Sequence, residues 1–354
     1  KTLVCYYNSI TSLILPPSLT TLDCGANTSL NISDVIKNTP NLTTLICNST
    51  NISGTLDIHL FGQLKTLVCS NNNITSLILP PSLTALDCGY NNLQNIQNDI
   101  SMNTLLTTLF CYGTSISGTL DLSSFTLLKT LGCYDNNILA KLTLPTYAPN
   151  LYYLNVNGNT QLATLTFPEK APNLYQLNVY GNDQLETLTF PENAPNLYYV
   201  DVDSNASLKT LTLPLNAPNL YYAGVYYNDK IETLTLPLNA PNLYYVDVYG
   251  NDQLKTLTLP LNTPNLYELY VYSNASLATL TLPEKAPNLY YLYVYYNILT
   301  GSALDAIFRD VNDTQIAGKN MNITGNPGVS DYSLDAYNAA INKGWDITDA
   351  WPTA

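Results

Sequence analysis

Apolar and polar residues alternate in the second half of the chain in a pattern that recurs every 23 residues. Each repeat reads L-Y-x-L-x-V-x-x-N-x-x-L-x-T-L-T-L/F-P, with Val200, Ala223 and Val246 in place of the second leucine in three repeats. The alternation around Leu154 and Val156 predicts a short strand whose leucine and valine face inward. Because one strand cannot cover its own apolar face, we expect successive repeats to stack. The repeats begin at Leu151, Leu174, Leu197, Leu220, Leu243, Leu266 and Leu289.

The first half of the chain follows the same pattern, with cysteine at the position of that valine. Leu19-x-x-Leu22-x-Cys24 is one example, and successive cysteines are 19, 23, 22, 19, 23 and 22 residues apart. Three turns therefore form a higher-order repeat of 64 residues. The pattern predicts seven stacked turns, or rungs, with cysteine, followed by seven rungs with valine. The cysteines are Cys5, Cys24, Cys47, Cys69, Cys88, Cys111 and Cys133.

The motif L-x-x-L-x-L-x-x-N resembles the signature of leucine-rich repeats. The stretches Leu15-Pro16-Pro17-Ser18-Leu19 and Leu79-Pro80-Pro81-Ser82-Leu83 are similar to the short bacterial class found in surface and adhesin-like proteins. This resemblance implies a repeat solenoid of the leucine-rich-repeat horseshoe type. It implies a concave parallel β-sheet, mostly strand and loop on the convex side, and a concave face that usually serves in recognition.

The end of the chain departs from the repeat. Leu304–Phe308 and Leu334–Ile341 have helical spacing, and Gly344 follows the second segment as a helix C-cap. Between them, Met321–Gly328 resembles a degenerate last rung. A small α-containing cap is expected to cover the open end of the core. The predicted divisions are cysteine-ladder repeats over 1–148, valine-ladder repeats over 149–297 and a C-terminal cap over 298–354.

Two sets of residues are predicted to be structural. The seven cysteines share one inward position, about 4.8 Å from rung to rung, and no Cys-x-x-Cys or Cys/His cluster exists to hold zinc. We expect a ladder of reduced, packed thiols, with an oxidised pair or a metal as alternatives. Thr50 and Thr114 stand where most rungs have an asparagine that serves the turn backbone. The asparagines of the valine rungs are Asn159, Asn182, Asn205, Asn228, Asn251, Asn274 and Asn297.

The outward strand positions of the valine rungs mix tyrosine with asparagine, aspartate, glycine and glutamine. Rigid aromatic groups beside small polar groups are typical of binding surfaces and also suit stacking against sugars. The alternative is that tyrosine simply stabilises strands, which fully explains the unvarying column that contains Tyr152 and Tyr175. The predicted ligand-binding residues are Tyr153, Tyr180, Tyr199, Asp201, Asp203, Tyr222, Tyr226, Tyr245, Asp247, Tyr249, Tyr270, Tyr272, Tyr291, Tyr293 and Tyr295.

Catalytic motifs are lacking in the sequence. His59 is the only histidine, and serine stands at the equivalent position one super-repeat later, so a solvated residue is expected. Asp201, Asp203 and Asp247 could bind calcium or suggest a glycosidase, but solvated surface charge is the favoured interpretation. We expect no enzymatic activity, no cofactor and no metal. A net charge of −13 argues against nucleic acid as a partner, and no apolar segment is long enough for membrane insertion.

These features predict a non-enzymatic recognition or adhesion module that binds a protein or glycan on another surface. The first alternative is a structural component that self-associates through its tyrosine and threonine faces. A minor alternative is ice binding by the Thr-x-Thr array that begins at Thr164 and Thr166. The expected location is extracellular, on a cell surface or on a virion surface. Residue 1 falls in the middle of a repeat, so a longer protein is expected.

Overall fold

The structure is a computed structural model that describes residues 1–314 and 316–349. The chain forms two compact units, unit 1 over Lys1–Pro168 and unit 2 over Glu169–Ala354. Each unit is a solenoid of short parallel strands, and most of the remaining chain is loop. This confirms the predicted repeat solenoid with a parallel sheet. The predicted three-part division stays a prediction, and position 315 and residues 350–354 of the predicted cap lie outside the described residues.

Unit 1 has a main parallel sheet in the order β1-β2-β3-β5-β7-β8-β10-β12 and two smaller back sheets, β4-β6 and β9-β11-β13. Equivalent residues are paired, for example Leu22 with Leu45 and Leu67 with Leu86. The strands are β1 (Thr2–Val4), β2 (Thr21–Asp23), β3 (Thr44–Ile46), β4 (Ser53–Asp57), β5 (Thr66–Val68), β6 (Asn73–Ile78), β7 (Ala85–Asp87), β8 (Thr108–Phe110), β9 (Ser117–Asp121), β10 (Thr130–Gly132), β11 (Ile138–Thr143), β12 (Tyr153–Asn155) and β13 (Thr164–Thr166).

Unit 2 has a main parallel sheet in the order β14-β16-β18-β20-β22-β24-β25-β26 and back sheets β15-β17-β19 and β21-β23. Its strands are β14 (Gln176–Asn178), β15 (Thr187–Thr189), β16 (Tyr199–Asp201), β17 (Thr210–Thr212), β18 (Tyr222–Gly224), β19 (Thr233–Thr235), β20 (Tyr245–Asp247), β21 (Thr256–Thr258), β22 (Glu268–Tyr270), β23 (Thr279–Thr281), β24 (Tyr291–Tyr293), β25 (Lys319–Asn322) and β26 (Trp345–Thr348).

Four α-helices occur among the described residues. Two were not predicted: α1 (Ile32–Ile36) and α2 (Ile96–Ile100) lie on the back of unit 1, with their isoleucines buried. The others are α3 (Gly301–Asp310) and α4 (Leu334–Asn342), which cover the two segments predicted as helical. A 3-10 turn, Pro327–Ser330, lies between them. Every helix in the described part of the chain is too short or too polar to span a bilayer.

The core consists of the repeated leucines together with cysteine in unit 1 and valine in unit 2. Cys24, Cys47, Cys69, Cys88, Cys111 and Cys133 are completely buried, and all seven cysteines are free thiols. Cys5, which follows β1, is half-buried. Burial raises the pKa of Cys24 to about 12 and raises the pKa of Cys47 and Cys88 further. These thiols are therefore uncharged and shielded from solvent.

A buried asparagine links most rungs to their neighbours. The Nδ2 group of Asn228 donates to the Val202 carbonyl of the preceding rung at 2.8 Å and to the Tyr226 carbonyl at 3.0 Å. Its Oδ1 accepts from the backbone N–H of Asn205 at 3.0 Å. In unit 1, the hydroxyl of Thr50 donates to one backbone group, the Cys47 carbonyl of its own rung, at 2.7 Å. Its other contact is with a side chain, the Oδ1 atom of Asn72 in the next rung, at 3.4 Å. Asparagine thus satisfies turn backbone in two rungs at once, whereas threonine satisfies its own rung.

Candidate functional site

The outward positions of β14 to β24, together with the residue two positions after the end of each of these strands, form a surface that we call the sheet face. Tyr180 is exposed and Asp201 is buried, whereas Tyr153 belongs to unit 1, where its hydroxyl accepts a hydrogen bond from Asn155 at 3.2 Å. The other predicted ligand-binding residues are half-buried side chains of unit 2. They are Tyr199, Asp203, Tyr222, Tyr226, Tyr245, Asp247, Tyr249, Tyr270, Tyr272, Tyr291, Tyr293 and Tyr295. The structure therefore brings fourteen of the fifteen together in one unit.

One column of this face is a continuous tyrosine stack. The ring centroids of Tyr226 and Tyr249 are 4.8 Å apart, those of Tyr249 and Tyr272 are 4.5 Å apart, and those of Tyr272 and Tyr295 are 4.4 Å apart. The rings are nearly parallel, with interplanar angles of 11°, 6° and 7°. Such stacking covers the ring faces with neighbouring rings. The column therefore offers ring edges and hydroxyl groups to a partner.

Tyrosine hydroxyls on the face are directed at carboxylates. Tyr199 donates to Asp201 Oδ2 at 3.2 Å, and Tyr222 donates to Asp247 Oδ2 at 3.0 Å. Tyr270 donates to Glu268. Burial, followed by the nearby carboxylates, raises the pKa of the Tyr199 and Tyr222 hydroxyls. These phenols therefore remain protonated donors, and their hydrogen bonds hold the carboxylates among the tyrosine rings.

Gly224 makes the Tyr222–Asp247 contact possible. A Cβ atom at position 224 would lie 2.6 Å from the Tyr222 hydroxyl oxygen and 2.8 Å from its ring. Only glycine leaves enough space for Tyr222 to cross this rung and to reach the carboxylate of the next one. The close approach of the Tyr222 side chain thus explains why the outward position 224 is a glycine.

The carboxylates are not the solvated surface charges that the sequence suggested. Asp201 is only 9% exposed, and burial together with the neighbouring Asp203 raises its pKa to about 7. Burial also raises the pKa of Asp203 and of Asp247. The prediction of solvated carboxylates was therefore wrong for Asp201, because the tyrosine side chains around it exclude water.

Each of two carboxylates has one oxygen that lacks a donor. Asp201 Oδ1 and Asp247 Oδ1 are buried and have no hydrogen-bond partner among the described residues. Asp203, in contrast, accepts a hydrogen bond from the Ser204 hydroxyl at 2.8 Å. No group of three acidic, cysteine or histidine side chains placed to hold a metal occurs within residues 1–314 and 316–349.

The unvarying tyrosine column is a separate stack beside the sheet face. Tyr175 and Tyr198 are 5.0 Å apart, and the spacing continues at 5.0, 5.1, 5.2 and 5.3 Å to the last ring. This regularity agrees with the interpretation that the column stabilises the strands. The column contains Tyr175, Tyr198, Tyr221, Tyr244, Tyr267 and Tyr290.

Unit 1 carries an aromatic cluster that the sequence analysis missed. Tyr112 and Tyr134 stack at 4.6 Å, and Phe110 lies at an edge of Tyr112. Asp87 lies beside them, and burial raises its pKa. The signal was present, because tyrosine follows Cys111 and Cys133 as it follows valine in unit 2.

The threonine array lies on the back of the rungs. Its threonines are mostly exposed and flank a leucine in each strand. In unit 2 the array is divided, because β15-β17-β19 and β21-β23 are separate sheets. His59 of unit 1 is exposed, and its Nδ1 lies 2.6 Å from Asp57 Oδ1. A surface ion pair of this kind has little energetic consequence.

Comparison with known proteins identifies the repeat. Residues 130–245 and 178–299 match the BspA type leucine rich repeat region, in six copies. A leucine-rich-repeat protein of Leptospira interrogans is similar in structure, with 22% identity, a TM-score of 0.60, and 85% of this chain and 80% of that chain covered. YopM from Yersinia enterocolitica has 23% identity and a TM-score of 0.51, with 92% and 78% covered. No curated protein matches the sequence.

Proposed function

Because the chain is a leucine-rich-repeat protein with a BspA-type repeat region, we propose that it is a recognition module that binds a partner protein through the sheet face of unit 2. Leucine-rich-repeat proteins are commonly protein-interaction modules and are typically non-enzymatic. The observation that supports the proposal most is the contrast between columns. The inward positions are uniform, whereas the outward positions combine tyrosine stacks with half-buried carboxylates.

A protein partner is favoured over a glycan. Sugar rings are bound through the exposed faces of aromatic rings, and the faces in the Tyr226 to Tyr295 stack are occupied by neighbouring tyrosines. Edges and hydroxyls instead suit the polar groups of a polypeptide. Ice binding is less favoured, because the threonine array is divided in unit 2. The place where such a module would act is an exposed surface, extracellular or on a cell or virion.

The proposal is tested by replacing Tyr226, Tyr249 and Tyr272 by serine. The probes are a random peptide array and a glycan array, each incubated with wild-type protein and with the triple variant. We expect peptides to bind the wild-type protein and to lose at least about tenfold in affinity with the variant, because truncated aromatic anchors cost about 2 kcal/mol or more each. A thermal melt of the same samples reports whether the fold is retained.

The matched control is the triple variant Tyr198→Ser, Tyr221→Ser and Tyr244→Ser. These residues occupy three adjacent rungs and stack at similar distances, but they belong to the unvarying column. The control is expected to lower the melting temperature and to keep peptide binding. Equal loss of binding in both variants, or unchanged binding in the first, would contradict the proposal. Hits confined to the glycan array would replace the protein partner by a carbohydrate.

A further inference from the structure

On the basis of the proposed function, we infer that the partner segment is cationic and that its arginine or lysine side chains bind the carboxylates of β16 and β20. The sheet face contains Asp201, Asp203, Asp247 and Glu268 and no lysine or arginine. The ion pairs of unit 2, within its described residues, join Lys209 to Glu186 and Arg309 to Asp305, away from these carboxylates. The sheet face is thus an acidic surface without internal counter-charges.

Two carboxylate oxygens of the sheet face lack a donor within the described residues. Asp201 Oδ2 and Asp247 Oδ2 each accept from a tyrosine hydroxyl, whereas the Oδ1 atoms of both residues accept from no described group. A buried acceptor without a donor is destabilising, so a donor that arrives with a ligand restores a lost interaction. A guanidinium group offers five N–H donors and a positive charge, which matches a carboxylate with one free oxygen.

The geometry also indicates how such a segment is spaced. Asp201 and Asp247 occupy equivalent positions two rungs apart, which corresponds to about 10 Å at the strand spacing. A polyproline II segment rises about 3.1 Å per residue and has three residues per turn. Its side chains at every third position therefore point the same way at about 9 Å intervals. A segment with arginine or lysine at every third residue would therefore place one cation at Asp201 and the next at Asp247, on either side of the rung that contains Gly224.

The probe for this inference is a peptide of four Pro-Pro-Arg repeats. Matched peptides of Pro-Pro-Gln and Pro-Pro-Glu repeats have the same backbone and a different charge. Binding to the complete chain is measured by calorimetry at low and at high salt. We expect only the arginine peptide to bind and its affinity to fall with added salt, because partly exposed ion pairs are screened. Equal binding of the glutamine peptide would overturn the inference.

The decisive variant is Asp201→Asn, Asp203→Asn and Asp247→Asn. At pH 8, above the pKa of Asp201, it keeps the shape of the face and removes three charges, and we expect the arginine peptide to bind it at least about tenfold more weakly. The matched control, Glu192→Gln, Asp229→Asn and Glu232→Gln, removes three exposed charges outside the sheet face. The control is expected to change affinity by less than about twofold. Equal loss in both variants would show attraction by net charge alone and would overturn the inference.

Failure of the cationic-partner inference can be distinguished from failure of the proposed function. If an uncharged peptide from the array loses binding to the tyrosine variant and keeps binding to the asparagine variant, the cationic partner is overturned and recognition through the sheet face stands. Absence of any peptide whose binding depends on the tyrosine stack overturns both. The asparagine variant is expected to fold, because it replaces carboxylates that are half-buried or buried by neutral groups of the same shape, and its thermal melt verifies this.

Discussion

The two units form the same kind of core from different residues. At one inward position unit 1 uses cysteine and unit 2 uses valine, and both are completely buried at Cys69, Cys88, Val202 and Val225. Their rungs differ in length in unit 1 and are uniform in unit 2. The core therefore requires a small apolar group at a fixed register, and the chemical identity of that group is secondary.

Outward of the core the units diverge. Unit 1 has short helices and register shifts on its back, for example between Leu139 and Lys141, and a small aromatic cluster on its main sheet. Unit 2 has a regular Thr-Leu-Thr back and an extended tyrosine stack with carboxylates. Because both units have the same kind of core, the distinct surface of unit 2 is where a specific function is to be sought.

The largest expected difference between the units is in thiol reactivity, because all seven cysteines lie in unit 1. Six cysteines are fully buried, and Cys5 is half-buried. We expect a thiol reagent to label one cysteine of the folded protein and seven after denaturation, with rates for the buried thiols slower by at least about three orders of magnitude.

The control for thiol labelling is Cys5→Ser, which should leave almost no fast-reacting thiol in the folded protein. Mass spectrometry counts the labels at each time. Fast modification of several cysteines in the native state would show that the unit 1 core is open and would break the equivalence of the cysteine and valine ladders.

A second effect concerns the asparagine that links rungs. Asn228→Ala should lower the free energy of unfolding by roughly 1–3 kcal/mol, because backbone groups in two rungs lose their partner. Asn242→Ala is the matched control, since its exposed side chain contacts only the exposed side chains of Asn219 and Asn265. We expect it to cost less than about 0.5 kcal/mol. Equal shifts in urea denaturation would mean that the buried amide is not the link between rungs.

A third effect is a pH dependence that belongs to unit 2. Folded Asp201 keeps its proton up to about pH 7, whereas an unfolded aspartate releases its proton near pH 3.9. Between these values the folded state binds more protons, so the free energy of unfolding decreases as pH rises from about 4 to about 7. Asp201→Asn should remove this decrease and stabilise the protein at pH 8 by on the order of 2 kcal/mol.

The measurement for Asp201 is a series of melting curves from pH 4 to pH 8 on wild-type protein and two variants. Asp229→Asn, at an exposed position, serves as the comparison and should keep the wild-type slope. A parallel slope in Asp201→Asn would show that another group causes the pH dependence.

The sequence predicted the repeat, the strand register and the buried asparagines because each is a local consequence of periodicity. It predicted the tyrosine columns for the same reason. It could not predict that the rings cover Asp201, because that burial depends on side-chain rotamers of neighbouring rungs. The role of Gly224 could not be predicted for the same reason, since it depends on the path of the Tyr222 side chain across that rung. Helices α1 and α2 were missed although apolar spacing around Ile32, Val35 and Ile36 was visible, because five residues give a weak periodic signal.

The smallest expected effect tests the equivalence of the two ladders directly. Cys69→Val and Val225→Cys exchange the inward residue between units at positions that are completely buried. Cysteine and valine are both small and apolar, so each exchange should change the free energy of unfolding by less than about 1.5 kcal/mol, with the cysteine in unit 2 slightly destabilising through lost volume.

The contrast for this exchange is Cys69→Ser, which is similar in size but places a hydroxyl in an apolar environment. It should cost about 1–3 kcal/mol. Urea denaturation of the three variants measures the differences. If Cys69→Val costs as much as Cys69→Ser, the thiol contributes more than apolar volume to unit 1. Near-neutral exchange in both directions would instead mean that the units share one interchangeable core, and that their difference lies in the residues that face outward.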